Sequence, residues 1–291
     1  MNRRVILALI VAIPLGLLAG AGLGYWQSGG ETSVRDRGEP IVRLKLPEAG
    51  GEIGLPPIQG PADSSRPLVV IDAGHGAGDP GASGHGLREK TITLAIALAV
   101  RERLLEGGGI RVAMTRDDDS YLVLEERANI ARRLGADLFV SIHADSAEND
   151  AATGATAYVL SEEGSSEQAE AFAARENRSV TVNGVELSEQ EDTINAILVD
   201  LSQRDTESRS RALAELIVRE AEGKVPMRRR AIQSANFIVL HSPDMPSLLF
   251  EAGYLSNDAD AARLATEEGR AAIADMLART IRIHFARQSG G

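Results

Sequence analysis

From Leu68 onward, short apolar runs and segments of helical period take turns, and this alternation constrains the fold more than any other property of the chain. LVVID (68–72) is an apolar run of strand length that stops at a glycine turn. TITLAIALAVRERLLE (91–106) repeats Leu94, Leu98, Val100, Leu104 and Leu105 at helical intervals. RVAMTR (111–116) is the next strand, and LEERANIARRLG (124–135) is a helix closed by Gly135. ADLFVSIHAD (136–145), ATAYVL (155–160), NFIVL (236–240) and SLLFEAG (247–253) come next as strands, before a last helix over about 258–286. Strands alternating with helices predict an α/β domain over 67–291, with a mostly parallel twisted sheet flanked by helices. Ligands of such sheets bind beyond the C-terminal strand ends. His75, His143 and Glu251 all fall there.

Two regions depart from that rhythm. Residues 161–210 are polar at first and then helical. Ser188-Glu189-Gln190-Glu191 has capping-box spacing, and Ile194, Ile197, Leu198 and Leu201 come after it on one face. A second stripe, Leu213, Leu216 and Ile217, belongs to a helix that returns to the domain. One helix suffices for the connection, so the first is read as an insert. At the other end, two arginines precede Val5–Trp26, a stretch without charge. About 20 apolar residues span a bilayer, whereas a signal peptide's core is about 7–15. The length favours an uncleaved anchor over 1–30, although Ala19-Gly20-Ala21 offers a cleavage site. The two arginines orient the rest of the chain to the outside of the inner membrane, in the periplasm. Residues 31–66, with Pro40, Pro47, Pro56, Pro57 and Pro61, read as a linker in which IVRLKL is at most one short strand. It is too short for a sandwich of about 100 residues, so the anchor is expected to supply location.

The chemistry concentrates in IDAGHGAGDPGASGHGLREK (71–90), where two histidines and a glutamate sit among glycines. A phosphate cradle would end in Lys-Ser or Lys-Thr and has no use for the histidines. With no cysteine in the chain, a metal must be held by His, Asp or Glu, a set that suits zinc. His75, Glu89 and His143 supply two imidazoles and a carboxylate, and catalytic zinc takes three protein ligands and leaves one position open. Glu89 is too far along the chain to share a helix face with His75, so the glycines are expected to fold the loop back. The net charge of −11 argues against a nucleic-acid partner.

Four motifs in order, IDAGHGAGDPGASGHGLREK, TRDDDSYLVLEERANIA, ADLFVSIHAD and PSLLFEAGYLSN, resemble the zinc-dependent N-acetylmuramoyl-L-alanine amidases over about 67–287. The resemblance implies hydrolysis of the amide between N-acetylmuramic acid and L-alanine in peptidoglycan. It makes His75, Glu89 and His143 the ligands of one Zn2+, and Glu251 the catalytic glutamate. The segment ARENRSVTVNGVELSEQEDTINAILVDLSQRDT is similar to one in the Gram-negative cell-division amidases, where a helix blocks the zinc site until an activator protein displaces it. That similarity implies an autoinhibited enzyme of septal wall splitting, with Glu189 or Glu191 near the metal; in the bare sequence Glu191 only completes a capping box. Asp145 is an additional ligand, a support for one, or a loop aspartate. His85 is read as a loop residue, His241 as facing the cleft without metal, His284 as structural, and Asp117-Asp118-Asp119 as a solvated turn. Two other functions compete: a zinc peptidase acting on stem peptides, and a non-catalytic wall-binding or activator protein.

Overall fold

A computed structural model describes residues 54–147, 152–178, 196–241 and 244–289, with 196–204 as helix backbone only. The apolar N-terminal run, IVRLKL, Glu189 and Glu191 lie outside the described residues. Among the described residues no helix is long and apolar enough to cross a membrane.

The elements are β1 (Leu68–Ala73), β2 (Ser83–Gly84), β3 (Leu87–Arg88), α1 (Glu89–Gly107), β4 (Arg111–Met114), α2 (Leu124–Leu134), β5 (Leu138–His143), β6 (Ala155–Leu160), α3 (Glu167–Asn177), α4 (Ala196–Ala221), β7 (Met227–Ala235), β8 (Ser247–Glu251), α5 (Asp258–Ala265) and α6 (Glu267–Ser289). Six strands form one sheet in the order β4-β1-β5-β8-β6-β7, and β2 and β3 make a separate hairpin. The pairs β4-β1, β1-β5, β5-β8 and β6-β7 are parallel; β6 runs antiparallel to β8. The expected mostly parallel sheet is therefore present, with one reversal.

Every residue of β1, β5 and β8 is buried. Side chains alternate across a strand, so each face of β1 joins a different core. Val69 and Ile71 pack with Ile92, Ile96 and Val100 of α1 and with Leu213 and Ile217 of α4. Leu68 and Val70 pack with Phe139, Tyr158, Phe172 and Phe237 on the opposite face. Continuous apolar runs are what sheets covered on both sides require. Gly135 caps α2 in the left-handed conformation, φ 64°.

Several expectations fail. The separate inserted helix is absent among the described residues, since Ile197, Leu198 and Leu201 belong to the same continuous α4 as Leu213, Leu216 and Ile217, and the last helix is divided into α5 and α6. NFIVL is not a strand: Ile238–Leu240 forms a single 3-10 turn, and the neighbouring strand is β7, MRRRAIQSA. Phe237, Val239 and Leu240 are buried because they close the second core, which a compact turn accomplishes as well as a strand. β7 lies at the sheet edge, where arginines face water and discourage pairing with other chains. The end of the proline-rich stretch is also not free, since Gln59 pairs with Val112 of β4 through bonds of 2.8 and 2.9 Å.

Candidate metal centre

β5 and β8 end on His143 and Glu251, which are register neighbours. β1 leads through Gly74 to His75. Glu89 opens α1 after the β2–β3 hairpin, whose turn places both His85 (φ 50°) and Gly86 (φ 75°) in the left-handed region that two-residue hairpin loops need. The loop thus folds back as expected, but the glycines do more than bend. A Cβ on Gly74 would lie 2.5 Å from the His143 ring, and one on Gly81 would lie 2.6 Å from Glu89 Oε2. The backbone is packed directly against His143 and Glu89.

Glu89 is 0% exposed and sits between the two imidazoles. Its Oε1 is 3.1 Å from His143 Nδ1 and accepts from the Ala144 N–H; its Oε2 is 3.1 Å from His75 Nε2 and accepts from the Ala82 N–H. Asp79 Oδ2 holds His75 Nδ1 at 2.8 Å, which fixes the ring so that Nε2 faces the cluster.

A second carboxylate reaches the same point. Glu176, near the end of α3, brings Oε2 to 3.2 Å from His143 Nδ1 and 3.5 Å from His75 Nε2. His75, His143 and Glu176 are a buried trio whose donor atoms all lie within 4.8 Å of one another. Its placement comes from the helix: Phe172 is four residues earlier and hence on the same face. Phe172 stacks with Tyr158 and Phe237 at 4.9 and 5.3 Å between ring centroids. Ser166 caps the helix by accepting from the Ala169 N–H, and Asn177 binds the backbone of Asn236 and Ile238 at its other end. Docking Phe172 therefore aims Glu176 at the histidines.

Burial and charge act in opposite senses here. Burial alone would lower the His143 pKa, but Glu176 and Glu89 hold it up at about 10. Burial opposes charge on His75 as well, yet Glu89 and Asp79 raise it well above the ordinary value. Against its own burial, Glu89 is held well below the carboxylate range by His75 and His143. Glu251 goes the other way: burial, then the Glu89 charge, pushes it well above that range. Its Oε1 accepts from the Asp145 N–H. Buried His75 Nε2, Glu176 Oε2 and Glu251 Oε2 have no hydrogen-bond partner among the described residues. The orphaned His75 Nε2 and Glu176 Oε2, grouped with a His143 nitrogen, fit a divalent cation.

A buried ion pair supports the centre from beneath. Arg127 Nη1 is 2.9 Å from Asp72 Oδ1 and also donates to the Ala73 carbonyl, while Nη2 donates to the His75 carbonyl at 2.9 Å. Burial opposes charge on Asp72, yet Arg127 and hydrogen bonds from Ser141 and Thr115 keep its pKa below the ordinary value. His75 is itself left-handed, φ 61°, a conformation that persists in non-glycine residues only where surroundings impose it. Arg127→Met would strand Asp72 in the core. A loss of about 3–5 kcal/mol is expected, read as a lower urea midpoint at unchanged slope.

The other residues singled out in the sequence have separate settings. Asp145 pairs with Arg175 of α3 instead of facing the trio. His85 bonds the Leu255 carbonyl and Asp258, as a loop residue. His241 binds Asn236. His284 bonds Gln288, and burial with the nearby Arg209 charge lowers its pKa to about 4, consistent with a structural residue. Asp119 is more than a solvated turn, because it accepts from Lys90 Nζ and from the Ala77 N–H. Glu176 lies at the start of the segment that resembles the blocking region, but nothing in the sequence singles it out there, because Arg-Glu-Asn at a helix end resembles a wet surface.

Residues 69–282 match the family Amidase_3, described as N-acetylmuramoyl-L-alanine amidase. The chain is 38% identical over 223 residues to N-acetylmuramoyl-L-alanine amidase AmiA of Salmonella typhimurium, covering 76% of this chain and 77% of that protein. It is 38% identical over 220 residues to AmiA of Escherichia coli, covering 75% and 76%. Among solved structures, the amidase AmiC2 of Nostoc punctiforme aligns at 30% identity and a TM-score of 0.55, covering 76% of this chain and 98% of that one. The CwlV catalytic domain from Bacillus (Paenibacillus) polymyxa aligns at 28% identity with the same TM-score and coverage.

Proposed function

The chain belongs to the Amidase_3 family and is an N-acetylmuramoyl-L-alanine amidase acting on peptidoglycan, and from this premise we propose how its centre is loaded, worked and restrained. One zinc ion, held by His75, Glu89 and His143, would polarise the scissile carbonyl and lower the pKa of a water to about 7. Glu251 is the proton carrier. Its Oε1 is occupied by the Asp145 N–H, so Oε2 takes the proton of the attacking water. The same oxygen passes it to the alanine nitrogen as the carbon–nitrogen bond breaks. Burial favours this exchange by making the protonated carboxyl easy to form.

Glu176 is the restraint. The observation that carries this reading is its approach to both histidines. Three protein ligands leave zinc a position for water, whereas four close the coordination shell as in structural sites. α3 must leave before substrate is cut, and a protein activator that displaces it is the partner implied. Peptidoglycan lies outside the inner membrane, so we place the enzyme in the periplasm, tethered by Val5–Trp26 and released at sites of septal splitting. Glu176→Ala is expected to raise basal release of stem peptides from sacculi at least about tenfold with bound zinc unchanged. Unchanged hydrolysis would refute the restraint, and loss of zinc would make Glu176 an essential ligand instead.

A further inference from the structure

The reversal of β6 has a geometric effect beyond the fold. Because β6 runs antiparallel to β8, its first residues lie at the metal end of the sheet, with Thr156 opposite Glu251. β7 is parallel to β6 and pairs Met227 with Ala155. Arg228 and Arg229 therefore stand at the catalytic end, two strands from Glu251. At about 4.8 Å per strand that is roughly 10 Å, the length of about three extended residues.

There they line a cavity of about 600 Å³ together with Thr153, Tyr158, Arg178 and Tyr254. Among the described residues no aspartate or glutamate lines it. Arg228 is held by neutral partners, donating to Tyr254 Oη and Gln168 Oε1 at 3.0 Å each, with its guanidinium 5.6 Å from the Tyr254 ring centre. Among the described residues neither Arg228 nor Arg229 forms an ion pair with a carboxylate. Arg228 is thus positioned and its charge is unspent.

The substrate has one acidic arm. Past the scissile amide the stem peptide carries alanine, a glutamate with a free carboxylate, and a diamino acid, while the sugar ring bears hydroxyl and acetamide groups. We propose that the Arg228–Arg229 cavity is the subsite for stem-peptide carboxylates, so that the peptide runs from the metal centre toward β7. Guanidinium groups suit this task because they bind carboxylates with paired donors. The inference deepens the amidase reading; Gln168, Phe172 and Arg175 of α3 also line the cavity, so during catalysis the subsite is the part that stays with the sheet, Arg228 and Arg229 of β7 with Tyr254.

The test is calorimetric titration of the zinc-loaded full-length protein with the tripeptide L-Ala–γ-D-Glu–diamino acid, against the same peptide with the glutamate carboxylate converted to carboxamide. The wild type is expected to bind the free acid about tenfold more tightly at low salt, equivalent to about 1.4 kcal/mol, with the preference fading as salt is added. Arg228→Gln/Arg229→Gln should bind both peptides with the affinity the wild type shows for the amide, which also reports that the variant is folded. Arg228→Lys/Arg229→Lys should keep most of the preference. Equal binding of the two peptides by the wild type, no binding of either, or a preference that survives in the glutamine variant would each overturn the subsite. Hydrolysis of sacculi by wild type and Glu176→Ala is scored separately, so failure of the restraint leaves this result standing.

Discussion

Glu251→Gln is expected to lower kcat on peptidoglycan by about 10²–10⁴-fold while the protein keeps its metal. Glutamine has nearly the same shape and its carbonyl oxygen still accepts from the Asp145 N–H, so the end of β8 should not move. What disappears is the oxygen without a hydrogen-bond partner among the described residues, the one proposed above to carry the water's proton. Zinc analysis and release of stem peptides, measured on one preparation in the Glu176→Ala background, check the outcome. A variant that retains metal and hydrolyses within a few-fold of its parent would remove Glu251 from the chemistry.

His143→Ala is expected to empty the centre. The imidazole is buried at the end of β5, and its loss leaves Glu89 Oε1 with only the Ala144 N–H. Losing one of the three proposed zinc ligands should reduce retained metal after dialysis to below about a tenth of the wild-type amount, and activity by more than about 10³-fold. His85→Ala is the matched control. His85 bonds the Leu255 carbonyl and Asp258 outside the cluster, and metal retention should match the wild type. If His143→Ala holds zinc as tightly as His85→Ala does, the assignment of ligands is wrong.

How much a sequence reveals depends on the physics of each segment. β1, β5 and β8 announce themselves because both faces are covered, and a covered strand must be apolar throughout. β7 does not, because an edge strand with water on one side tolerates MRRR, and no periodicity distinguishes that from a loop. NFIVL misleads for the converse reason: burial demands apolar residues but does not dictate extended backbone. His75, His143 and Glu251 stand out because polar groups at the ends of apolar runs need a purpose, and Glu89 joins them because four ordered motifs resemble a family. Glu176 and the Asp72–Arg127 pair stay hidden, since their partners lie far away along the chain. Only folding brings Asp72 and Arg127 together under His75.

The aromatic seat of α3 carries a consequence for the cell. Detaching the helix exposes Phe172, worth about 2–3 kcal/mol, and breaks a few polar contacts, so the latch is of finite strength. The aromatic seat alone, near 3 kcal/mol, would leave roughly one molecule in 10² unlatched at any moment, and the proposed Glu176 contact with the metal lowers that fraction further. Under the restraint proposed above, silence is then statistical: every copy leaks a little, and total wall damage scales with how many copies are made. Such an enzyme is made safe by dosage as much as by its latch.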